Sequence, residues 1–453
     1  VIQQHLDKHQ QQHPDVVEEI RKSLYVDDLV SGGETVGKVQ QLKKTSTEIF
    51  NDATFQLHKW HSNAPALEAE ETQLSSSAED TFAKQQLGVP SGQTTLLGLS
   101  WDKERDVIKI EIPSGKAEPT KRGILGKIAK IYDPLGLISP VTLHGKFLYR
   151  DCCDVKLPWD ANLPPDLQTR WTVWEQNLPD HVSAPRSLVK YQEPIEEIDL
   201  HTFGDASGQG VAATVVAVVR QSSGISKGLV ASKSRLAKKN LTIPRLELVS
   251  AHMASNLVDN VRQALEGFPI KQVFGWLDST VALHWIRGSG EFKQFVGNRV
   301  RKIREKDYIQ WRHVPSQDNP ADLGSRGGHV DSASCLWWKG PDWLVTEESW
   351  PPEIVTSPSK ESLAETKPVR EVFNVANILQ FDVFDQLLKK WRLWKTLRIC
   401  AWISRFIRNV DKRNDSRKGP LSTAEIQERE TWWINRVQTR NQDSPKFEED
   451  RAR

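Results

Sequence analysis

Apolar runs of strand length alternate with amphipathic helical segments between residues 200 and 327. The runs HTFGDA and GVAATVVAVV are separated only by the short turn SGQ, which predicts a β-hairpin. Pro244 suits the first position of a helix, and the apolar residues after it recur at helical spacing: Leu246, Val249, Met253, Leu257 and Val261. The run QVFGWL then leads into the amphipathic segment VALHWIRG, as a strand leads into a helix. This alternation favours an α/β fold.

Four acidic residues lie at the ends of these elements: Asp205, Glu247, Asp278 and Asp322. In a chain with 26% charged residues, a lone carboxylate is ordinarily a solvated surface group. The first three acids, however, directly adjoin strongly apolar segments, where an unpaired carboxylate is costly to bury. Oxygen ligands of this kind suit Mg²⁺ or Mn²⁺ and give zinc no reason to bind. The spacing alone does not bring residues 42, 31 and 44 positions apart to one point.

Five phrases carry or flank these acids: FGDAS, LTIPRLEL, WLDSTVALHWI, FVGNRV and WRHVPSQDNPADLGSRG. They resemble ribonuclease H, and more narrowly the version encoded in the pol polyprotein of Pao/BEL-type LTR retrotransposons. The resemblance implies a mixed five-stranded sheet with flanking helices over residues 197–328, within a multidomain α/β and α+β protein. It also implies that the four acids hold two Mg²⁺ or Mn²⁺ ions and that the enzyme hydrolyses the RNA strand of an RNA/DNA hybrid.

Two neighbouring residues leave alternatives open. Asp318 lies four residues before Asp322 and could be mistaken for it. His313 precedes both, and either a part in product release or proton transfer, or a structural place at a strand end, would explain it.

The segment SLYVDDLVSGG contains adjacent acids, Asp27 and Asp28, between apolar residues. YVDD resembles the polymerase motif of reverse transcriptases, in which two acids in a tight hairpin bind metal ions; a plain β-turn is the alternative. The resemblance assigns residues 1–62 to a partial palm ending in a strand-like FQLHKW, 63–93 to a connector, and 94–195 to a region like the thumb and connection. The third palm aspartate and the fingers of that family are not in this sequence, so we do not expect polymerisation by this chain alone.

Two basic runs beside the acids predict contacts to nucleic-acid phosphates, although solvated helix faces are the ordinary explanation of such runs. The candidate residues are Lys233, Arg235, Lys238, Lys239, Arg299, Arg301, Lys302 and Arg304. We expect the partners to be an RNA/DNA hybrid and a template-primer duplex.

The remaining sequence is read by composition and pattern. Residues 329–369 are rich in polar residues, which predicts a linker. Residues 370–445 have a helical pattern, in which Ser422 or Thr423 can serve as a helix N-cap. By the resemblance, this helical segment would precede an integrase that lies beyond Arg453. The chain begins at Val1 and has one methionine, so we expect it to be part of a longer polyprotein. Four cysteines without a paired spacing and no long apolar run favour an intracellular setting without a membrane segment, either a cytoplasmic virus-like particle or the nucleus.

Three other hypotheses are weaker. An aspartic peptidase, a name also given to families that cover such regions, needs Asp-Thr-Gly or Asp-Ser-Gly, and neither LDST at 277–280 nor GDAS at 204–207 has that glycine. A decayed or domesticated copy that only binds nucleic acid or proteins is a second alternative. His5, His9 and His13 share a helical spacing, but no carboxylate or cysteine partner is evident in the sequence, so a solvated helix face is expected there.

Overall fold

A computed structural model describes residues 1–33, 35–67, 94–330, 335–367, 383–410 and 416–440. The chain divides into two compact units, Val1–Pro368 and Val369–Arg453. Within the described ranges, every helix is too short or too polar to cross a bilayer. Most of the connector expected over 63–93 lies outside the described residues.

The strands of the first unit are β1 (Leu24–Tyr25), β2 (Asp28–Leu29), β3 (Thr95–Leu96), β4 (Leu99–Asp102), β5 (Val107–Glu111), β6 (His181–Pro185), β7 (Glu197–Ala206), β8 (Gly210–Gln221), β9 (Gly224–Leu236), β10 (Ile270–Leu277) and β11 (Ile309–His313). Its helices are α1 (Ile2–His9), α2 (Pro14–Ser23), α3 (Val36–Asp52), α4 (Lys121–Ala129), α5 (Ser139–Asp154), α6 (Pro165–Gln176), α7 (Ile243–Ala264), α8 (Thr280–Arg287), α9 (Gln294–Arg304), α10 (Ala321–Arg326), α11 (Cys335–Lys339) and α12 (Lys360–Ala364). Short 3₁₀ turns cover Pro65–Leu67, Ser316–Asp318, Asp342–Val345 and Glu347–Ser349.

The largest sheet has five strands in the order β11-β10-β7-β8-β9. Strand β10 runs parallel to both β11 and β7, whereas β8 is antiparallel to β7 and to β9. The sheet is therefore mixed, which confirms the prediction for this region. The predicted hairpin is β7 and β8, and the helix predicted after Pro244 is α7.

Helix α7 covers one face of this sheet. Its buried residues Leu248, Ala251 and Val258 pack into the same core as Leu200 and Val215 of the strands. The hydroxyl of Thr202 donates to the carbonyl oxygen of Ala254 over 3.2 Å, which fixes the helix against β7.

Residues 335–367 pack against the rest of the first unit, whereas their polar composition predicted a linker. The aromatic ring of Trp350 lies 4.6 Å from that of Phe274 and 5.3 Å from that of Trp276, centroid to centroid. Leu344 is fully buried, and the Trp285 indole donates to the Ser362 carbonyl oxygen. A few large apolar residues anchor this segment by packing against the core. The average composition of the segment is polar and therefore does not predict these contacts.

Residues 94–195 form a four-stranded antiparallel sheet, β3-β4-β5-β6, and the three helices α4–α6. Strands β3, β4 and β5 precede α4, and β6 follows α6. Helix α5 packs directly on β9, where the Ser139 hydroxyl lies 2.7 Å from that of Ser232 and 2.9 Å from that of Ser234.

Residues 1–67 form helices α1–α3 and the hairpin of β1 and β2. The YVDD motif forms this hairpin, since Tyr25 pairs with Asp28 and Val26 has a φ of 55° in the turn. The strand-like segment FQLHKW at 55–60 is not a strand.

In the second unit the described helices are α13 (Val383–Lys390), α14 (Leu393–Val410) and α15 (Thr423–Arg440). Leu397, Cys400 and Trp433 form its small core. Ser422 caps α15, because its hydroxyl accepts from the Glu425 amide at 3.4 Å and its own amide donates to the Glu425 carboxylate at 2.8 Å. The described helices and the Ser422 cap lie where the sequence predicted helix and N-cap, and the assignment of 370–445 as one segment before an integrase stays a prediction.

Candidate metal-binding active site

The register of two parallel strands places Asp205 and Asp278 side by side. Leu277, the last residue of β10, pairs with Gly204 of β7. Asp278 and Asp205 each follow one of these two residues, so both carboxylates lie at the same end of the sheet.

Glu247 reaches the same place from the start of α7. A Cβ on Gly204 would lie 2.9 Å from the Leu277 side chain and 3.1 Å from the backbone of Ser250, so both neighbours would have to move to accommodate it. Gly204 beside Asp205 thus lets the first turns of the helix lie close to the end of β7. Glu247 is 7% exposed and Asp205 is 4% exposed.

Carboxylate oxygens of Asp205, Glu247 and Asp278 all lie within 4.8 Å of one another. Glu247 Oε2 and Asp278 Oδ1 are buried and accept no hydrogen bond from any residue that the structure describes. Burial raises the pKa of Glu247 to about 9, and repulsion from Asp205 and Asp278 adds to the increase. Burial likewise raises the pKa of Asp205 to about 6, against a hydrogen bond from Ser325 that lowers it. Three acids arranged in this way need protons or a cation to stay together.

Asp322 lies beside this group of three carboxylates and not within it. Its Oδ1 accepts a hydrogen bond from Arg326 Nε at 2.6 Å, and its side chain is 37% exposed. Its charge still raises the pKa of both Asp205 and Glu247. Asp318, the other candidate in this loop, accepts a hydrogen bond from the Trp343 indole at 3.2 Å.

Three polar residues that the sequence analysis did not single out hold the acids in place. The Ser325 hydroxyl donates to Asp205 Oδ2, and the Ser316 hydroxyl donates to Asp278 Oδ2 at 2.8 Å. Asn319 is buried; its amide donates to the Gly204 carbonyl oxygen at 3.1 Å, and its Oδ1 accepts from the Ala321 amide at 3.1 Å. All three lie in the phrase SQDNPADLGSRG, whose spacing gives no sign of which side chains turn inward.

Replacing Asn319 with alanine should lower the free energy of unfolding by about 1–3 kcal/mol, because a buried carbonyl and a buried amide would lose their partners. Denaturant unfolding followed by tryptophan fluorescence measures this loss. Asn298→Ala, at an exposed position of α9, is the matched control and should change stability by less than about 0.5 kcal/mol. Equal effects of the two substitutions would show that Asn319 does not fix the loop.

The other predicted acids, Asp27 and Asp28, lie elsewhere, whereas His313 lies at the same end of the sheet as Asp278. Asp27 and Asp28 are exposed in the β1–β2 turn and belong to no group of three metal-ligating side chains among the described residues. His313 ends β11 opposite Leu277. The catalytic and the structural roles considered for His313 both stay predictions.

The basic residues of β9 and the turn after it are exposed, and one of them is already paired. Lys233 and Arg235 alternate with the buried Ser232 and Ser234, so they project from the face of β9 opposite to α5. Lys238 is exposed, whereas Lys239 lies 2.6 Å from the Asp154 carboxylate.

Two basic residues of α9 contact a helix end or an aromatic ring, and two are exposed, of which Arg301 donates a hydrogen bond to Asn298 Oδ1 at 3.4 Å. Arg304 donates to the carbonyl oxygens of Trp285 and Ile286 at 2.9 Å and also to that of Gly288, so its guanidinium caps the end of α8. Arg299 lies over the Phe295 ring, 3.7 Å from its centroid. Arg301 and Lys302 are exposed.

Residues 120–279 match the family model described as Pao retrotransposon-like RNaseH-like domain. The match covers about a third of the chain and includes Asp205, Glu247 and Asp278. A search of curated proteins found no match.

Solved structures with a ribonuclease H-like fold are similar to part of the chain. RNase H1 from the halophilic archaeon Halobacterium salinarum NRC-1 is 18% identical, with 29% of this chain and 91% of that chain covered and a TM-score of 0.20. LC11-RNase H1 in complex with an RNA/DNA hybrid is 16% identical, with 27% of this chain and 88% of that chain covered and a TM-score of 0.20. A foamy viral protease-reverse transcriptase in complex with double-stranded DNA is 14% identical, with 67% and 48% covered and a TM-score of 0.34.

Proposed function

We propose that this chain, in which residues 120–279 are a retrotransposon pol-type ribonuclease H region, hydrolyses the RNA strand of RNA/DNA hybrids with the help of divalent metal ions. The observation that carries the proposal is the convergence of Asp205, Glu247 and Asp278, with two of their buried oxygens unpartnered among the described residues.

The donor set fits Mg²⁺ or Mn²⁺. All three side chains offer oxygen only, and ions of this type prefer oxygen ligands. Each unpaired carboxylate oxygen costs free energy when it is removed from water. A bound cation would offset that cost, whereas a neutral ligand would not. We assign Asp322, whose charge acts on the other acids, to the outer edge of a site for two ions.

The residues of the chain have distinct tasks in this reaction. Asp205 and Asp278, each fixed by a serine hydroxyl, would hold the divalent ions at the end of the sheet. Glu247 has to release its proton when a cation binds, since its raised pKa keeps the metal-free side chain protonated near neutral pH. Bound divalent ions would supply an activated water and stabilise the leaving oxygen of the phosphodiester.

The exposed basic residues are suited to hold the hybrid by its backbone. Lys233, Arg235, Arg301 and Lys302 have no ion-pair partner among the described residues. Phosphate contacts from such side chains are independent of sequence and weaken with salt.

We further propose that residues 1–62 are the end of a reverse transcriptase palm and that the chain acts as part of a longer retrotransposon polyprotein inside the cell. The antiparallel hairpin that carries Asp27 and Asp28 supports the first of these assignments. The residues described here do not supply a complete polymerase site.

The direct test is cleavage of an RNA/DNA hybrid labelled on the RNA strand, with the purified chain in Mg²⁺ and in EDTA. We expect cleavage of the RNA strand in Mg²⁺, none in EDTA, and no cleavage of a DNA duplex of the same sequence. The double variant Asp205→Asn, Asp278→Asn should be inactive. Asp318→Asn should keep its activity, because the Asp318 side chain contacts Trp343 and not the acidic group.

One result would reject the catalytic proposal. If the folded chain binds the hybrid and cuts nothing in Mg²⁺ or Mn²⁺, the chain is a nucleic-acid-binding protein without nuclease activity.

A further inference from the structure

A second group of potential metal ligands lies at the amino-terminal end of the chain. His5 and His9 are one helical turn apart on α1, with ring centroids 4.8 Å apart, and the carboxylate of Asp52 at the end of α3 faces them. Asp52 Oδ2 lies 3.2 Å from His9 Nε2 and 3.8 Å from His5 Nε2. The sequence offered no carboxylate partner for the histidines, because Asp52 is 43 positions from His9 and only the fold brings them together.

We propose that His5, His9 and Asp52 bind a borderline divalent transition metal, with zinc as the reference ion. Two imidazoles and one carboxylate are ligands that zinc accepts in sites with a fourth open position. Ligands about 2.0–2.2 Å from a tetrahedral metal are roughly 3.3–3.5 Å apart, and the two measured nitrogen–oxygen distances lie on either side of that value.

Binding has to displace one existing contact. His5 Nε2 lies 2.7 Å from the Ile49 carbonyl oxygen, so the metal-free imidazole carries its proton on that nitrogen and donates it to the carbonyl. The metal would take the place of this proton. Both histidines are half-buried, which limits their rotation and holds the two rings toward α3.

The position of the group gives the metal a structural task. Among the described residues, helices α1–α3 share a small core with five buried apolar residues, Leu6, Val17, Ile20, Ile49 and Phe50, and a few partly buried ones around them. A core of this size contributes little stability, and small units of this kind are commonly reinforced by a metal ion. A metal joining α1 to the end of α3 would clamp together the helices before and after the β1–β2 hairpin.

This site is independent of the proposed nuclease site. The nuclease site offers carboxylate oxygens alone, whereas the amino-terminal site offers two nitrogen ligands, which favour zinc, cobalt or nickel over Mg²⁺. Saturating Mg²⁺ should therefore occupy the first site and leave the second available.

The test is calorimetric titration of the full chain with Zn²⁺ in excess Mg²⁺ at neutral pH, with wild type, His9→Ala, Asp52→Asn and His13→Ala. His13→Ala is the matched control, because His13 continues the spacing of His5 and His9 but lies outside the group. We expect the first two variants to lose one equivalent of zinc and the control to keep it. The Asp205→Asn, Asp278→Asn double variant should also keep that equivalent.

Amide hydrogen exchange on the same samples provides a readout that does not depend on stoichiometry. Zinc should slow exchange in α1 and at the end of α3 in wild type and in His13→Ala, and should leave both helices unchanged in His9→Ala and Asp52→Asn. Equal far-UV circular dichroism would show that the variants are folded. Zinc binding of equal stoichiometry in all four proteins, or no slowing of exchange in these helices, would overturn the proposal.

Discussion

Replacing Asp278 with asparagine is expected to reduce the rate of hybrid cleavage by about 10²–10³-fold, with little change in affinity for the hybrid. A metal ligand that acts on the transition state contributes several kcal/mol, and each 1.36 kcal/mol corresponds to a factor of ten in rate. Asp278 Oδ1 is buried and unpartnered among the described residues, so it is available to a cation, whereas Oδ2 is fixed by Ser316. Asparagine keeps the size and removes the charge.

Asp322→Asn should have a smaller effect, of roughly tenfold. The Asp322 carboxylate pairs with Arg326 and acts on the buried acids through its charge. Single-turnover rates across a Mg²⁺ titration would separate a loss of metal affinity from a loss at saturating metal. If Asp322→Asn costs as much as Asp278→Asn at saturating Mg²⁺, Asp322 is a full ligand and the loop rearranges when metal binds.

The strands β7, β8 and β10 and the helix α7 could be predicted from sequence because each depends on local pattern. Alternating and continuous apolar runs specify β7, β8 and β10, and helical spacing after Pro244 specifies α7. Asp205 and Asp278 follow strand residues that pair in register, so their meeting is a consequence of parallel pairing. Neither apolar run shows by itself that β7 pairs with β10. The resemblance to ribonuclease H supplied this pairing.

Contacts between distant segments could not be predicted from these patterns. Asn319, Ser325 and Ser316 are ordinary loop residues in sequence, and they become part of the site only because α10 packs against β7 and β8. The contact of Arg304 with the end of α8 could not be predicted either. In sequence, a basic residue on an amphipathic helix can equally cap a neighbouring helix or bind phosphate.

Replacing Glu247 with glutamine should stabilise the metal-free protein at high pH and destabilise the metal-bound protein relative to wild type. The pKa of Glu247 is raised from 4.5 to about 9 on folding, so the folded state binds the proton more tightly than the unfolded state. This contribution to stability is complete below about pH 4.5 and is lost as the pH rises through about 9. In EDTA, we therefore expect the wild type to lose about 5 kcal/mol relative to Glu247→Gln between pH 5 and pH 9.

Mg²⁺ should reverse the order of the two proteins, because a cation binds the ionised carboxylate and stabilises only the folded wild type. The measurement is denaturant unfolding at pH 5, 7 and 9, with EDTA and with Mg²⁺, followed by tryptophan fluorescence. Glu266→Gln, at an exposed position just after the same helix, should follow the wild type at every pH. A stability difference between Glu247→Gln and wild type that is the same at pH 5 and pH 9 would mean that Glu247 is not held protonated by its burial. The convergence of the three acids would then not by itself require a cation, and the main support for a metal-dependent nuclease would be lost.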